Sequence, residues 1–491
     1  MRLILIIIEG GEKLCVQIAV KLMSDDEYNL IIIGGGAGAF AAAIKANEFK
    51  AKTLMVNIGL PLGGTCVNVG CVPSKTLLWA GEVMHQAKHH GIPGIEIEVK
   101  SFNFTQVIQH ELDLVAKLRA EKYDKVLNSL ENVTYAERKA SFVSPNEIEV
   151  NGTKYFAKKF IIAAGSTATV PPIENIKEVG YLTHIEALQI KNQPKELIVV
   201  GAGPLGLEFA QMYARFGTKV TILQKNVSIF LPAERELTDR LTEILTKEGI
   251  TIKTNVQVKS ARKEGGKKIL TYTVGDKQEQ VQADEILLAT GKTPNTQGLG
   301  FDKASIEIDE KQAIKVNPQF QTSQPHIYAV GDVINLPIRQ ETTAGREGTL
   351  AAENALKDTQ NNIDYNAVPW TIFTDPQLAG VGFTEEEQMK QFGTCMCKTV
   401  SFKDVPKAQI INRTEGLIKM VIHPETKQIM GVHILSLNAG ELIAEAMMLI
   451  KNKNTIDDVV NSLPMFPTLS EAIKIAALSF TKDISKLSCC V

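Results

Sequence analysis

Residues 28–39 read Tyr28-Asn29-Leu30-Ile31-Ile32-Ile33-Gly34-Gly35-Gly36-Ala37-Gly38-Ala39, and Ala-rich sequence continues from there to about Lys50. The unbroken apolar run predicts a buried strand, the glycines a tight turn, and the Ala-rich stretch a helix. A second strand is expected at 53–57. The spacing G-x-G-x-x-A falls on Gly34, Gly36 and Ala39. The first glycine makes the turn, the second lets a pyrophosphate approach the backbone, and the small third residue lets the helix pack closely. The amides of the helix start, around Ala37 and Gly38, then face the phosphates.

The same grammar returns at 196–206. An apolar strand at 196–200 runs into Gly201-Ala202-Gly203-Pro204-Leu205-Gly206, then a helix through Phe216 and a strand at 219–223. One such fingerprint is a common turn. Two copies, each with its strand and helix, predict two Rossmann-like dinucleotide-binding units and an α/β fold. The first unit is expected at 23–165, the second at 166–289, and a return to the first at 290–365, where 326–330 reads as a strand ending in Gly331-Asp332. From 366 to 491 short strands (416–422, 428–435) alternate with helices (440–450, 471–478), an α+β block. The Lys/Glu/Gly-rich stretch 263–268 reads as a hairpin loop.

The strand ends carry nucleotide specificity. Asn57 stands where an acidic ribose ligand is expected in the first unit, and Gln224 followed by Lys225 in the second. An acidic residue there would bind the 2′-hydroxyl of NADH and repel a 2′-phosphate, so its absence beside a cation favours NADPH. Lys225 reads equally as a solvated surface lysine. Asp332 suits a flavin ribityl hydroxyl, and reads as well as a turn aspartate.

Composition sets the limits around this reading. The chain has 491 residues, 44% of them hydrophobic, enough for roughly three domains. Its 53 Lys and Arg against 55 Asp and Glu give a formal charge of −2, which offers no electrostatic reason to bind nucleic acid. The apolar run 3–8 is far short of the roughly 20 residues that span a bilayer, and it lacks a cleavage site of small residues. A cytoplasmic protein is expected, without membrane or nucleic-acid partners. Met23 followed by Ser-Asp-Asp-Glu reads as a second natural start, which makes 1–22 an extension or an overlong start. The 7 cysteines are too few for a disulfide-stapled scaffold, so their local chemistry matters more.

The most informative segment is Gly63-Gly64-Thr65-Cys66-Val67-Asn68-Val69-Gly70-Cys71-Val72-Pro73-Ser74-Lys75. A C-x4-C pair could be half of a zinc site, but no second nearby pair completes four ligands. Pro73 and Ser74 predict a helix starting just after the cysteines, where the helix dipole would lower a thiolate pKa, so a redox dithiol is the better reading.

With this segment the sequence resembles the flavoprotein disulfide reductase family, and within it the mercuric reductases. The resemblance runs over 23–491 and also rests on ATGKTPNT (289–296), YAVGD (328–332), TDPQLAGVG (374–382) and the terminal KLSCC (486–490). It implies a homodimer with FAD, NADPH and a dimerisation domain, the active site being shared between subunits. It also implies that Cys71 is the thiol nearest the flavin, Cys66 the outward exchange thiol, and Lys75 a cation near flavin N5 paired with Glu208. The cofactor-binding set then includes Gly64, Thr65, Lys75, Ala164, Gly165, Gly291, Gly331 and Asp332.

Family members that reduce disulfides use an acid/base histidine in H-P-T-x-x-E. Here the motif reads Phe466-Pro467-Thr468-Leu469-Ser470-Glu471; the glutamate is kept and the histidine is a phenylalanine. General acid/base assistance is worth roughly 10² to 10⁴ in rate, and a hydrocarbon ring cannot give it. The adjacent pair Cys489-Cys490 offers soft thiolate ligands instead. In mercuric reductases such a pair collects Hg(II) and passes it to the redox dithiol, so the resemblance implies Hg(II) as substrate held in turn by Cys489, Cys490, Cys66 and Cys71. Tyr181 matches the family's active-site tyrosine and reads also as an ordinary loop tyrosine, while the tyrosine common at position 466 is absent. Cys395-Met396-Cys397 resembles a soft-metal pair but reads better as strand residues. The alternative to mercury reduction is an enzyme like dihydrolipoamide dehydrogenase or another disulfide reductase, and Phe466 is the feature against it.

Overall fold

The computed structural model describes residues 5–9, 12–16, 27–335 and 337–488. Strand Glu27–Ile33 pairs in parallel with Thr53–Asn57 on one side and Thr153–Ile162 on the other. Leu30, Ile31 and Ile32 are fully buried, which is why the strand carries no polar alternation: both faces of a parallel sheet are covered. Val133–Glu137 adds to one edge, and Ile327–Ala329 pairs in parallel with Thr153–Ile162, so the chain returns to this sheet after building a second one.

In that second sheet Glu196–Val200 lies between Lys219–Leu223 and Glu285–Leu288, all parallel, with Thr251–Lys253 outside. An antiparallel sheet of Val256–Glu264, Lys267–Val274 and Lys277–Ala283 packs beside it. The stretch expected as a loop at 263–268 is mostly strand. Gly265 and Gly266, at φ +56° and +81°, close the hairpin in two residues, because a tight turn of matching twist needs positive φ at both positions. A two-stranded ladder, Ser166–Ala168 with Lys292–Pro294, joins the two units.

The third block is an antiparallel sheet ordered Trp370–Ile372, Gln377–Gly382, Ile429–Ser436, Leu417–Ile422, Met396–Ser401. Ile418, Met420 and Ile434 form its core with Ile443 and Ala446 of helix Ala439–Lys451 and Ile473 and Ala476 of helix Glu471–Leu478. The α/β class is therefore as expected, with two largely parallel sheets, the first carrying an antiparallel edge of Glu147–Val150 and Ala140–Ser144, and an α+β block. Leu5–Glu9 and Glu12–Val16 form an antiparallel hairpin. Among the described residues no helix is long and apolar enough to cross a membrane.

Two helices set up the site. At Gly34, φ is +139° and an added Cβ would lie 2.1 Å from the Ala163 carbonyl, so only glycine turns the chain from strand into helix Ala37–Glu48. Helix Glu341–Lys357 then crosses that helix at Gly348, where an added Cβ would stand 2.1 Å from the Gly38 carbonyl. Gly38 thus serves helix contact, and this crossing fixes where Glu341 begins its helix.

Candidate active site

The dithiol is built by two consecutive helices. Gly63 and Gly64, at φ +92° and +61°, turn the chain into the short helix Gly64–Val69, which carries Thr65 and Cys66. Gly70 breaks it, and Cys71 is the first residue of helix Cys71–His89. The helix expected to start after the cysteines therefore starts at the second one, so Cys71 meets the positive helix end directly. Asn68 holds the turn: its amide donates to the carbonyls of Pro61, Leu62 and Gly64 at 3.1, 3.0 and 2.8 Å, and its oxygen accepts from Arg119 Nη1 at 3.1 Å.

Cys66 and Cys71 are free thiols. Cys66 Sγ donates to Glu341 Oε2, and Cys71 Sγ lies 3.7 Å from the same oxygen. The ligand atoms of Cys66, Cys71 and Glu341 all lie within 4.8 Å of one another. The neighbouring Cys66 thiol, helped by the Lys75 cation, holds Cys71 below the ordinary thiol range. Cys66 is pushed the other way by its bond to Cys71, by burial and by the Glu341 carboxylate. The pair is thus polarised, the environment favouring the proton on Cys66 and the thiolate on Cys71. Tyr123, whose ring lines Gly63, has its phenol pushed up to about 12 by burial and by the same negative groups.

One turn along the helix, Lys75 Nζ is 2.8 Å from Glu208 Oε2 and 4.5 Å from the centre of the Phe373 ring. Glu208 is buried, and its other oxygen accepts from the Phe373 amide at 2.9 Å. One carboxylate thereby ties the dithiol helix, the helix Pro204–Arg215 and the start of the third block together.

The glycine turns fit dinucleotides. An added Cβ at Gly64 would stand 2.7 Å from Gly36 Cα, so two bare backbones meet there; at Gly203 nothing lies within 4 Å, which leaves that helix start open to a phosphate. Gly201 and Gly206 are closed by backbone: an added Cβ would come within 2.4 Å of the Ala289 carbonyl and 2.1 Å of the Gly201 carbonyl. Ala39 is buried behind the first turn. Ala164, Gly165 and Gly291 line the crossing between the units, where Asn295 donates to the Ala164 carbonyl at 2.9 Å.

Other expected ligands are engaged within the protein. Asn57 donates to the Leu60 carbonyl at 2.9 Å. Gln224 is buried, with its amide on the Ser228 carbonyl at 3.0 Å and its oxygen on the Ala202 amide at 3.3 Å, so it braces the second turn, while Lys225 is exposed. Asp332 accepts from Ser166 Oγ at 2.6 Å. Glu347, which sequence reasoning missed, is buried and accepts from the Gly331 amide at 2.7 Å.

Tyr181 packs against the apolar cluster around Ile173 and Leu288. Glu471 accepts from the Thr468 amide at 3.0 Å. Phe466 is 43% exposed, on a segment where Leu463 and Met465 are 96% and 76% exposed. Cys489 and Cys490 lie outside the described residues. Sequence reasoning misses Glu341 because it is 270 residues from Cys71, and misses Asn68, though it lies inside the dithiol segment, because it holds backbone carbonyls rather than reacting.

Residues 28–353 match the model of the family described as pyridine nucleotide-disulphide oxidoreductase, and residues 368–477 that family's dimerisation domain. The mercuric reductase of Staphylococcus aureus is 36% identical over 96% of this chain and 86% of its own length. The mitochondrial dihydrolipoyl dehydrogenase of Pisum sativum is 35% identical over 92% of this chain and 91% of its own. Among solved structures, the HOCl-induced flavoprotein disulfide reductase RclA of Escherichia coli superposes with a TM-score of 0.82 at 25% identity, over 93% of this chain and all of that one.

Proposed function

The chain belongs to the pyridine nucleotide-disulphide oxidoreductase family, and on that footing we propose that it reduces Hg(II) to elemental mercury at the Cys66/Cys71 pair with electrons from NADPH. The observation that carries this reading is the convergence of two thiol sulfurs and the Glu341 carboxylate within 4.8 Å. A soft cation prefers thiolate ligands, and a nearby carboxylate adds charge without closing the site.

FAD, when bound at the first glycine turn, supplies the two-electron relay from NADPH to the sulfur pair. The chain's own residues do the rest. Lys75 sits one turn from Cys71 and favours its thiolate, while Glu208 keeps the lysine in place. Cys66 keeps the proton, shared with Glu341, until a metal ion displaces it. Hg(II) carried on Cys489 and Cys490 of the second subunit exchanges onto Cys66 and Cys71, and the thiol protons leave to solvent. Reduction of the metal needs no protonated thiol leaving group, so Phe466 in place of the histidine costs nothing. With Cys66 and Cys71 already reduced, a second pair of electrons from NADPH would pass by way of FAD to the thiolate-bound metal and take Hg(II) to Hg(0), and neutral mercury departs because it binds thiolate weakly.

A homodimer sharing its sites suits the exposed apolar Leu463, Met465 and Phe466 beside the dimerisation domain's last helix. NADPH suits the missing acidic residue at Gln224 and the exposed Lys225. The test is the double variant Cys489→Ala, Cys490→Ala. Loss of Hg(II) turnover at low thiol, with NADPH reduction of the flavin kept, supports the relay; full Hg(II) turnover without the pair overturns it.

A further inference from the structure

A second sulfur cluster lies in the third block, outside the dithiol site. Cys395 and Cys397 flank the start of strand Met396–Ser401, and Glu385 opens the helix Glu385–Phe392 that precedes it. The chain reverses at Gly393, whose φ of +71° suits a residue without Cβ. Gln388, fully buried, locks the reversal: its oxygen accepts from the Met396 amide at 3.1 Å and its nitrogen donates to the Ile422 carbonyl at 2.8 Å. The result brings the two sulfurs and a Glu385 oxygen within 4.8 Å of one another, all three residues half-buried.

We propose that Glu385, Cys395 and Cys397 form a binding site for a thiophilic d¹⁰ metal ion, held by two thiolates and one carboxylate with a fourth position open to solvent. Three protein ligands with one open position is the pattern of an exchangeable site, whereas closed structural sites use four. Two thiolates select a soft or borderline cation over Mg²⁺ or Ca²⁺.

Local charge supports a cation. Lys419 is buried, its side chain 3% exposed, and meets three carboxylates: Glu234 at 3.2 Å, Glu236 at 3.1 Å, and Glu385. One lysine therefore faces three acids. When Glu385 turns to a metal ion, Glu234 and Glu236 still pair the lysine, so no buried charge is stranded. Glu234 also fixes the ligand's backbone, accepting from the Glu385 amide at 2.7 Å. Binding replaces two thiol protons, which pass to solvent, and no electrons move. The site is independent of the reading given to Cys66 and Cys71.

The experiment uses the full-length, flavin-loaded protein with Cys15, Cys66, Cys71, Cys489 and Cys490 changed to serine, titrated with Cd(II) and read by thiolate-to-metal absorption in the ultraviolet. One equivalent per subunit is expected. Adding Cys395→Ser and Cys397→Ser should abolish the band, with the flavin spectrum reporting that the fold is kept. Glu385→Gln, which leaves both sulfurs, should keep the band but weaken affinity about tenfold, near 1.4 kcal/mol. A band that persists without Cys395 and Cys397, Glu385→Gln binding as tightly as its parent, or no band in the parent protein would each overturn the proposal.

Discussion

Lys75 Nζ lies 2.8 Å from Glu208 Oε2, and that contact decides where the cation one helical turn from the Cys71 thiolate stands. Lys75→Met removes the charge and keeps the length of the chain. The thiolate of Cys71 then needs a higher pH to form, so its absorbance in the NADPH-reduced protein disappears earlier as pH falls than in the parent. Turnover should drop by roughly 10²-fold, the usual cost of losing one preorganised charge. A pH titration of the reduced protein checks both the direction and the site; an unchanged midpoint would remove Lys75 from the account.

Glu341 acts on both sulfurs. Its carboxylate is one of the groups that push Cys66 upward, so Glu341→Gln should lower the Cys66 pKa and speed its alkylation by iodoacetamide near neutral pH several-fold. Peptide mapping assigns the label to Cys66 or Cys71. Faster labelling of Cys71 alone would mean that the carboxylate does not restrain the exchange thiol.

Phe466 is the simplest test of substrate class. If its ring is what bars disulfide chemistry, Phe466→His should raise lipoamide reduction by roughly 10²-fold, the low end of general acid/base assistance. Glu471 is already close by in sequence, though in this chain it accepts from the Thr468 amide. A steady-state assay with NADPH and lipoamide reads the change, and no gain would show that more than the histidine separates this site from disulfide reduction.

Much of the fold was legible because it follows local rules. The runs Leu30-Ile31-Ile32 and Ile198-Val199-Val200 are buried on both faces, and Gly34 and Gly201 occupy conformations that a side chain would obstruct. The Cys66/Cys71/Lys75 spacing was equally plain, since all three lie within two adjacent helices. What could not be read were contacts made by folding distant segments together. Glu341 reaches Cys66 only because Gly38 and Gly348 let two helices touch, and Gln224 braces a turn rather than pointing outward because Ser228 and Ala202 offer backbone partners. The C-x-C at Cys395 reads as strand, which holds for Cys397, while Glu385 is brought alongside only by the turn at Gly393.

The most direct test of mercury reduction is anaerobic NADPH oxidation by the purified flavoprotein, with Hg(II) and excess thiol in one arm and lipoamide in the other. The account predicts a rate that rises with Hg(II), with release of volatile mercury, and little turnover of lipoamide. Brisk lipoamide reduction with no response to Hg(II) would contradict it.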